Sequence, residues 1–388
     1  MEKIIAGEFS ESYPPLMDGV GQVVMNYEKI LRDEYGYIVK VITTYNTENG
    51  NPDTEDENVI RFPMTPIKSL GAYGITKITH ETKKRVCNID YDIIHTHSPF
   101  SIGKLGAKIA NGRGIPHVTT FHSQFRKDVL AFTHSNALAS LVTAYLIPHY
   151  RKADLVITPN KRSVEVLQSY GYNGNTVIVE NATDMEIPTE KEHEEYQKRA
   201  LELLGIDGKT RPILLFIGQH SDKKNIPLII DSLRQLKERN DDFLMVFVGD
   251  GEDRKKYERM REEYALQDNI RFMGLVRNRQ DVRAFYSIAD LFLFPSLYDV
   301  SSLTMRETAA FSLPCLFVDS VTSEMIEDGV NGFISAPDAA SYASCIEEII
   351  RDDGLRKTVG SNARRMLYRN FHDAVKEIDK LYRMLIGR

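Results

Sequence analysis

Short apolar runs recur along the chain, each closed by a polar turn and then by a longer segment whose apolar positions return every three or four residues. The short runs read as buried parallel strands and the longer segments as amphipathic helices. A first series comprises KIIAGEF, IVKVITTY, VIRFP, DIIHTH, HVTTFH, DLVITPN and TVIVEN, all before residue 182. A second comprises ILLFIGQ, FLMVFVGDG, NIRFMG, LFLFPS, PCLFVD and NGFIS, separated by segments such as IPLIIDSLRQLKERN. Two doubly wound α/β units follow from that alternation. The spacing predicts an N-terminal unit over 1–184, a charged hinge with a surface helix over 185–211, and a C-terminal unit over 212–370.

Composition agrees with two full cores: 388 residues, 42% hydrophobic and 27% charged. No apolar run approaches the about 18 residues of a membrane span, and MEKIIAGEF carries charges where a signal segment would be apolar, so a cytoplasmic protein is expected. Cys87, Cys315 and Cys345 are scattered with no C-x-x-C spacing, which supports neither a disulfide framework nor a zinc site. Net charge is −6, yet 61–163 holds fifteen Lys or Arg against five acids and seven of the ten histidines. One half could therefore face an anionic surface or acceptor.

In open α/β sheets, ligands bind beyond the carboxyl ends of strands, where helix-start N–H groups favour phosphate. Asp299 and Glu307 lie eight positions apart across such an end, one on the turn and one in the following helix, as a grip for a sugar nucleotide would require. Lys224 stands at another strand-to-helix junction, after Gly218 and Gln219. A cation there opposes the helix dipole unless an anion is also bound. Gly19 and Gly21 precede a helical pattern and let backbone approach a phosphate, but no ribose-binding acid follows in KVITTYN, so a nicotinamide cofactor is not expected. His122 closes an apolar strand. His95 and His97 share one face of a strand, and the sequence shows no third ligand that would make them a metal site.

The glycine loop DGVGQVV, TFHS, ENATD, FIGQHSDKKN, VGDGEDR, FMGLV, ADLFLFPS, the paired acids and EMIEDGVNGF together resemble the retaining family 4 (group 1) glycosyltransferases of the GT-B fold, over nearly the whole chain. The feel is nearest to members that glycosylate diacylglycerol or phospholipid. The resemblance implies two Rossmann-like domains facing a cleft, with the C-terminal helix 371–388 crossing back onto the first. It implies that Glu307 accepts from the nucleotide ribose, that Asp299 with the backbone N–H groups of Ser301, Ser302 and Leu303 holds sugar and diphosphate, and that Lys224 neutralises the diphosphate. Gly19 and Gly21 would approach the same group, Gly218 and Gln219 would line the donor site, Val276 would sit at the base, and His122 would contact the sugar.

The implied reaction moves a hexose from a nucleotide-diphosphate sugar, a UDP-sugar before GDP-mannose, with retained configuration and no metal or other cofactor. Three departures stand out: Gln219 where the family carries arginine, Asp299 for glutamate, and Ser302 for glycine. Lys223 or Arg306 could replace the missing arginine. The departures keep a second reading open, a catalytically silent sugar-nucleotide-binding accessory subunit. The acceptor is open too. The apolar stretch from Ala137 to Ile147, bracketed by basic residues, reads either as an interfacial helix serving a lipid acceptor at the inner membrane face or as a core helix, with a soluble glycan, a thiol or a small metabolite as acceptor.

Overall fold

A computed structural model describes residues 3–16, 18–52, 56–67, 73–122, 124–239, 242–297, 299, 301–319 and 321–387. Met1, Glu2, Ser123 and Asn240, which belong to stretches quoted above, lie outside the described residues. The chain divides into two compact units, 1–182 with 371–388 and 183–370.

The first unit is built on the strands β1 (Ile5–Phe9), β2 (Ile38–Asn46), β3 (Val59–Pro66), β4 (Gly74–Thr76), β5 (Ile93–Thr96), β6 (His117–Thr120), β7 (Leu155–Thr158) and β8 (Thr176–Ile178). Its helices are α1 (Gly19–Tyr35), α2 (His80–Cys87), α3 (Ser101–Arg113), α4 (Phe125–Thr133), α5 (Asn136–Arg151) and α6 (Lys161–Ser169). The sheet order is β4-β3-β2-β1-β5-β6-β7-β8, parallel except for β4, which runs antiparallel to β3. Strand β4 has no counterpart in the apolar pattern. It is a three-residue edge, Gly-Ile-Thr, with Ile75 exposed. An edge strand needs no apolar face, so periodicity cannot report it.

The second unit carries β9 (Ile213–Ile217), β10 (Leu244–Val248), β11 (Ile270–Gly274), β12 (Leu291–Phe294), β13 (Cys315–Val318) and β14 (Phe333–Ser335) in the order β11-β10-β9-β12-β13-β14. Its helices are α7 (Glu190–Leu204), α8 (Ile226–Glu238), α9 (Arg254–Glu263), α10 (Arg279–Ile288), α11 (Leu303–Ala310), α12 (Ala339–Arg351) and α13 (Asp353–Leu367). Alternate residues of each strand feed opposite cores: Ile213 and Leu215 join one cluster, Leu214 and Phe216 the other. Burial on both faces is why these strands read as unbroken apolar runs.

The stretch 185–211 contains α7 and belongs to the second unit. A reciprocal cap joins Thr189 and Glu192, Gly205 ends the helix at φ 60°, and Ala200 and Leu204 are buried in the core with Phe285 and Phe311. After α13 the chain returns to the first unit as α14 (Phe371–Ile386), where Phe371, Ala374, Val375, Ile378 and Tyr382 are buried.

Candidate functional site

In the second unit the strand order reverses between β9 and β12, which opens a crevice at their carboxyl ends. Gly218 and Gln219 leave β9, and the Gly218 N–H donates to the Val248 carbonyl at 3.0 Å. A Cβ on Gly249, whose φ is 129°, would stand 2.0 Å from the Gly218 oxygen, and one on Gly251 would stand 2.3 Å from that of His220. Two loops are thereby pressed together at the crevice floor. His220 is sealed among Phe216, Phe247, Tyr257 and Phe272, and burial, followed by the charge of Arg254, pushes its imidazole down to about 4. It is neutral at physiological pH. Gln219 is exposed at the rim.

Lys224 ends a 3₁₀ turn, Asp222–Lys224, just before α8. Its Nζ donates to both oxygens of Asp299, at 2.6 and 2.8 Å, so the residues following β9 and β12 meet at the switch point. The turn is held from both sides: Asn225 Nδ2 donates to the Pro295 carbonyl at 3.2 Å, and Thr322 Oγ1 to the carbonyls of Ser296 and Asp299 at 3.0 and 2.9 Å. Ser302 caps α11, accepting from the Thr304 N–H at 3.2 Å, and Leu303 is its first residue. Ser301 precedes them, half-buried.

Glu307, on α11, is buried rather than on a solvated face. Its Oε1 accepts from Arg279 at 2.9 Å and its Oε2 from the Tyr286 hydroxyl at 2.6 Å, and Arg279 also pairs with Asp184. Burial disfavours the Arg279 charge, but Glu307 and Asp184 more than compensate and hold it above the ordinary arginine value. Each Glu307 oxygen keeps a second lone pair for another donor. Arg279 and Tyr286 are site residues that the sequence reading missed. Their signal was a buried acid on a short helix, which needs partners. Arg306 does not replace the missing arginine: it is buried, with its guanidinium on the Leu367 carbonyl and the Met325 sulfur. Val276 follows β11, half-buried against the core that contains Phe292 and Phe294.

In the first unit the order reverses between β1 and β5. Gly19 opens α1, and Asp18 caps it, accepting from the Gly21 N–H at 2.8 Å and from the Ser12 hydroxyl at 2.6 Å. A Cβ on Gly21 would lie 2.7 Å from Ser12 Oγ, so this glycine serves a close approach of the helix to its own leading loop. His122, half-buried just beyond β6, has its Nε2 3.1 Å from His97 Nδ1. Burial, then the neighbouring His97, holds His122 well below the ordinary imidazole value and therefore neutral.

His95 and His97 do acquire a third group, Glu8, all three buried. The sequence signal was a carboxylate in the apolar strand IAGEF. Helix α5 buries Ala139, Leu146, Ile147 and Tyr150 and exposes Leu138, Leu141 and Tyr145, with the Lys104 ammonium 3.5 Å above the Tyr145 ring. Among the described residues no helix is long and apolar enough to cross a membrane.

Two family models match adjoining stretches, "Glycosyltransferase Family 4" over residues 17–187 and "Glycosyl transferases group 1" over 205–366. Among curated relatives, the alpha-monoglucosyldiacylglycerol synthase of Acholeplasma laidlawii is 26% identical, the match covering 84% of this chain and 83% of that protein. The Streptococcus pneumoniae protein of the same name is also 26% identical, over 80% of this chain and 70% of its own. Among solved structures, sucrose-phosphate synthase from Thermosynechococcus elongatus superposes with a TM-score of 0.81 at 20% identity over 100% of both chains. Anabaena HepE in complex with UDP and glucose gives 0.74 at 18% over 98% and 99%. These likenesses identify the fold as GT-B.

Proposed function

The chain belongs to the family 4, group 1 glycosyltransferases, and from that premise we propose that it is a retaining hexosyltransferase that takes its sugar from UDP and delivers it to a glycerolipid hydroxyl such as that of diacylglycerol. The observation that carries the reading is the meeting of Lys224 and Asp299 at the switch point of the second sheet. An ammonium at a strand-to-helix junction, neutralised by a carboxylate, is suited to exchange that carboxylate for a diphosphate. As the glycosidic bond breaks, charge builds on the leaving diphosphate, and Lys224 with the N–H groups at the start of α11 would stabilise it. No carboxylate nucleophile and no metal is needed for that role. Glu307, steadied by Arg279 and Tyr286, is suited to accept from ribose hydroxyls.

The names of the Acholeplasma and Streptococcus relatives support the lipid acceptor, and the nucleotide in the HepE complexes supports UDP. The exposed Leu138, Leu141 and Tyr145 with Lys104 beside them suit a protein that rests on the cytoplasmic face of a membrane.

The test is a thermal-shift and turnover panel with UDP- and GDP-sugars, with and without vesicles containing diacylglycerol, run in EDTA. UDP-hexose should stabilise the protein and vesicles should accelerate UDP release. Lys224→Ala should cut kcat about 100-fold or more with a small change in KM, the loss typical of one transition-state donor. A shift with a nucleotide sugar but no turnover would sink the transferase reading and favour the nucleotide-binding accessory subunit, for which the exposed Gln219 is the departure that counts, and no shift with any nucleotide would sink both.

A further inference from the structure

Glu8 is the centre of a buried hydrogen-bond circuit that draws on three strands and the returning helix. β1 and β5 lie side by side with Glu8 opposite His95, and β6 flanks β5. Glu8 Oε2 is 2.6 Å from His97 Nε2, and its Oε1 accepts from the Tyr382 hydroxyl of α14 at 2.7 Å. Tyr382 Oη is also 2.7 Å from His95 Nδ1, and His95 Nε2 is 2.6 Å from Thr120 Oγ1. His97 Nδ1 then meets His122 Nε2 at 3.1 Å.

Metal ligation does not account for this geometry. Bonds of about 2.0–2.2 Å to a tetrahedral ion keep two ligand atoms roughly 3.3 Å or more apart, whereas Glu8 and His97 are 2.6 Å apart, a distance that requires a shared proton.

The protons can be placed one by one. A carboxylate is acceptor-only, and a neutral imidazole has one donor and one acceptor nitrogen. With Glu8 ionised, the Tyr382 O–H points to Oε1, so His95 must donate through Nδ1 to the phenol oxygen and accept at Nε2 from Thr120. On the other branch His97 donates through Nε2 to Glu8 and accepts at Nδ1, so His122 must donate through Nε2. Every proton points toward the one buried charge, and no buried group in the circuit is left unpaired. Among the described residues nothing hydrogen-bonds His122 Nδ1.

We propose that Glu8 and His97 are positioning residues that lock His122 as its Nε2–H tautomer, leaving Nδ1 as an acceptor for a substrate hydroxyl at the carboxyl end of β6. This rests on the transferase reading. A reversed circuit, with Glu8 protonated on Oε2 and donating to His97, would turn His122 Nδ1 into a donor, so the acceptor oxygen that Glu8 presents to His97 sets the polarity of the contact.

The tautomer can be read without activity. In protein carrying 15N-histidine, two-bond 1H–15N spectra at pH 7 should show His122 with a protonated Nε2 and an unprotonated Nδ1, the signals being assigned by their loss in His122→Gln. An Nδ1–H tautomer, or a mixture of both, overturns the proposal. Glu8→Gln can still accept from His97 through its carbonyl and donate to Tyr382 through its amide, so it should keep the tautomer and most activity. Glu8→Leu and His97→Phe should average the tautomers and lower kcat about tenfold or more, and the wild-type spectrum decides the matter if either fails to fold. If the tautomer is as stated but kcat in His97→Phe is unchanged, the positioning role fails. If the wild type turns over no nucleotide sugar while the tautomer is locked, it is the transferase reading that fails.

Discussion

Asp299 holds Lys224 with both carboxylate oxygens, so a diphosphate that uses the same ammonium must displace an internal anion. The pair is partly exposed, and such pairs contribute about 0.2–1 kcal/mol. Removing the competitor should therefore tighten binding of free nucleotide diphosphate by no more than about fivefold. Asp299→Asn is expected to lower the Kd for UDP in calorimetry by about two- to fivefold while lowering turnover, because the carboxylate that would orient the sugar is gone. A weaker Kd would show that Asp299 organises the lysine rather than masks it. Residues of this kind were legible in the sequence: Lys224, Asp299, Glu307 and His122 each follow a strand whose apolar run announces where it ends. Their partners were not. Tyr382 reaches Glu8 across 374 positions, and Arg279 reaches Glu307 across 28. Nothing in local periodicity marks a phenol or guanidinium as the answer to a buried carboxylate far along the chain.

Among the elements, the legible ones are those whose side chains are buried on both faces. All six strands of the second unit fall where apolar runs place them, because Leu214, Met245, Leu293 and Leu316 face one core while Leu215, Val246, Phe292 and Phe317 face the other. The segment before them, expected as a charged hinge with a surface helix, carries α7, whose Ala200 and Leu204 are buried in the core. Fifteen residues with acids at five positions conceal a narrow apolar stripe. The exits of β9 and β10 depend on absent side chains. Gly249 combines φ 129° with a would-be Cβ only 2.0 Å from the Gly218 oxygen. Gly249→Ala should destabilise the second unit by about 1–3 kcal/mol, the range for a strained backbone position, and should loosen UDP binding, since the Gly218 loop must move to admit a methyl. Denaturant melts and a nucleotide titration on the same variant check both. Unchanged binding would separate this loop from the site.

The whole chain is two units rather than a string of them because its last helix belongs with its first strands. α14 buries Phe371, Ala374, Val375, Ile378 and Tyr382 within the first unit, places Tyr382 on Glu8 and Asp379 on the Tyr37 hydroxyl at 2.8 Å. Its removal costs the first unit twice. The lost apolar contact, at about 1.5–3 kcal/mol for each large buried side chain, strips the face of α1 that Phe371 and Tyr27 share. The second cost falls on Glu8, a fully buried carboxylate that loses one of its two donors, a loss worth several further kcal/mol for a charged group. The second unit, which ends at Asn370, keeps its sheet, both cores and the Lys224–Asp299 pair intact. A chain stopped after Asn370 should therefore keep cooperative unfolding of the second unit and lose that of the first. Hydrogen exchange would show β1, β5 and β6 unprotected while β9, β10 and β12 stay protected, and UDP should still protect the second unit. Uniform loss of protection in both would mean that the second unit does not stand by itself.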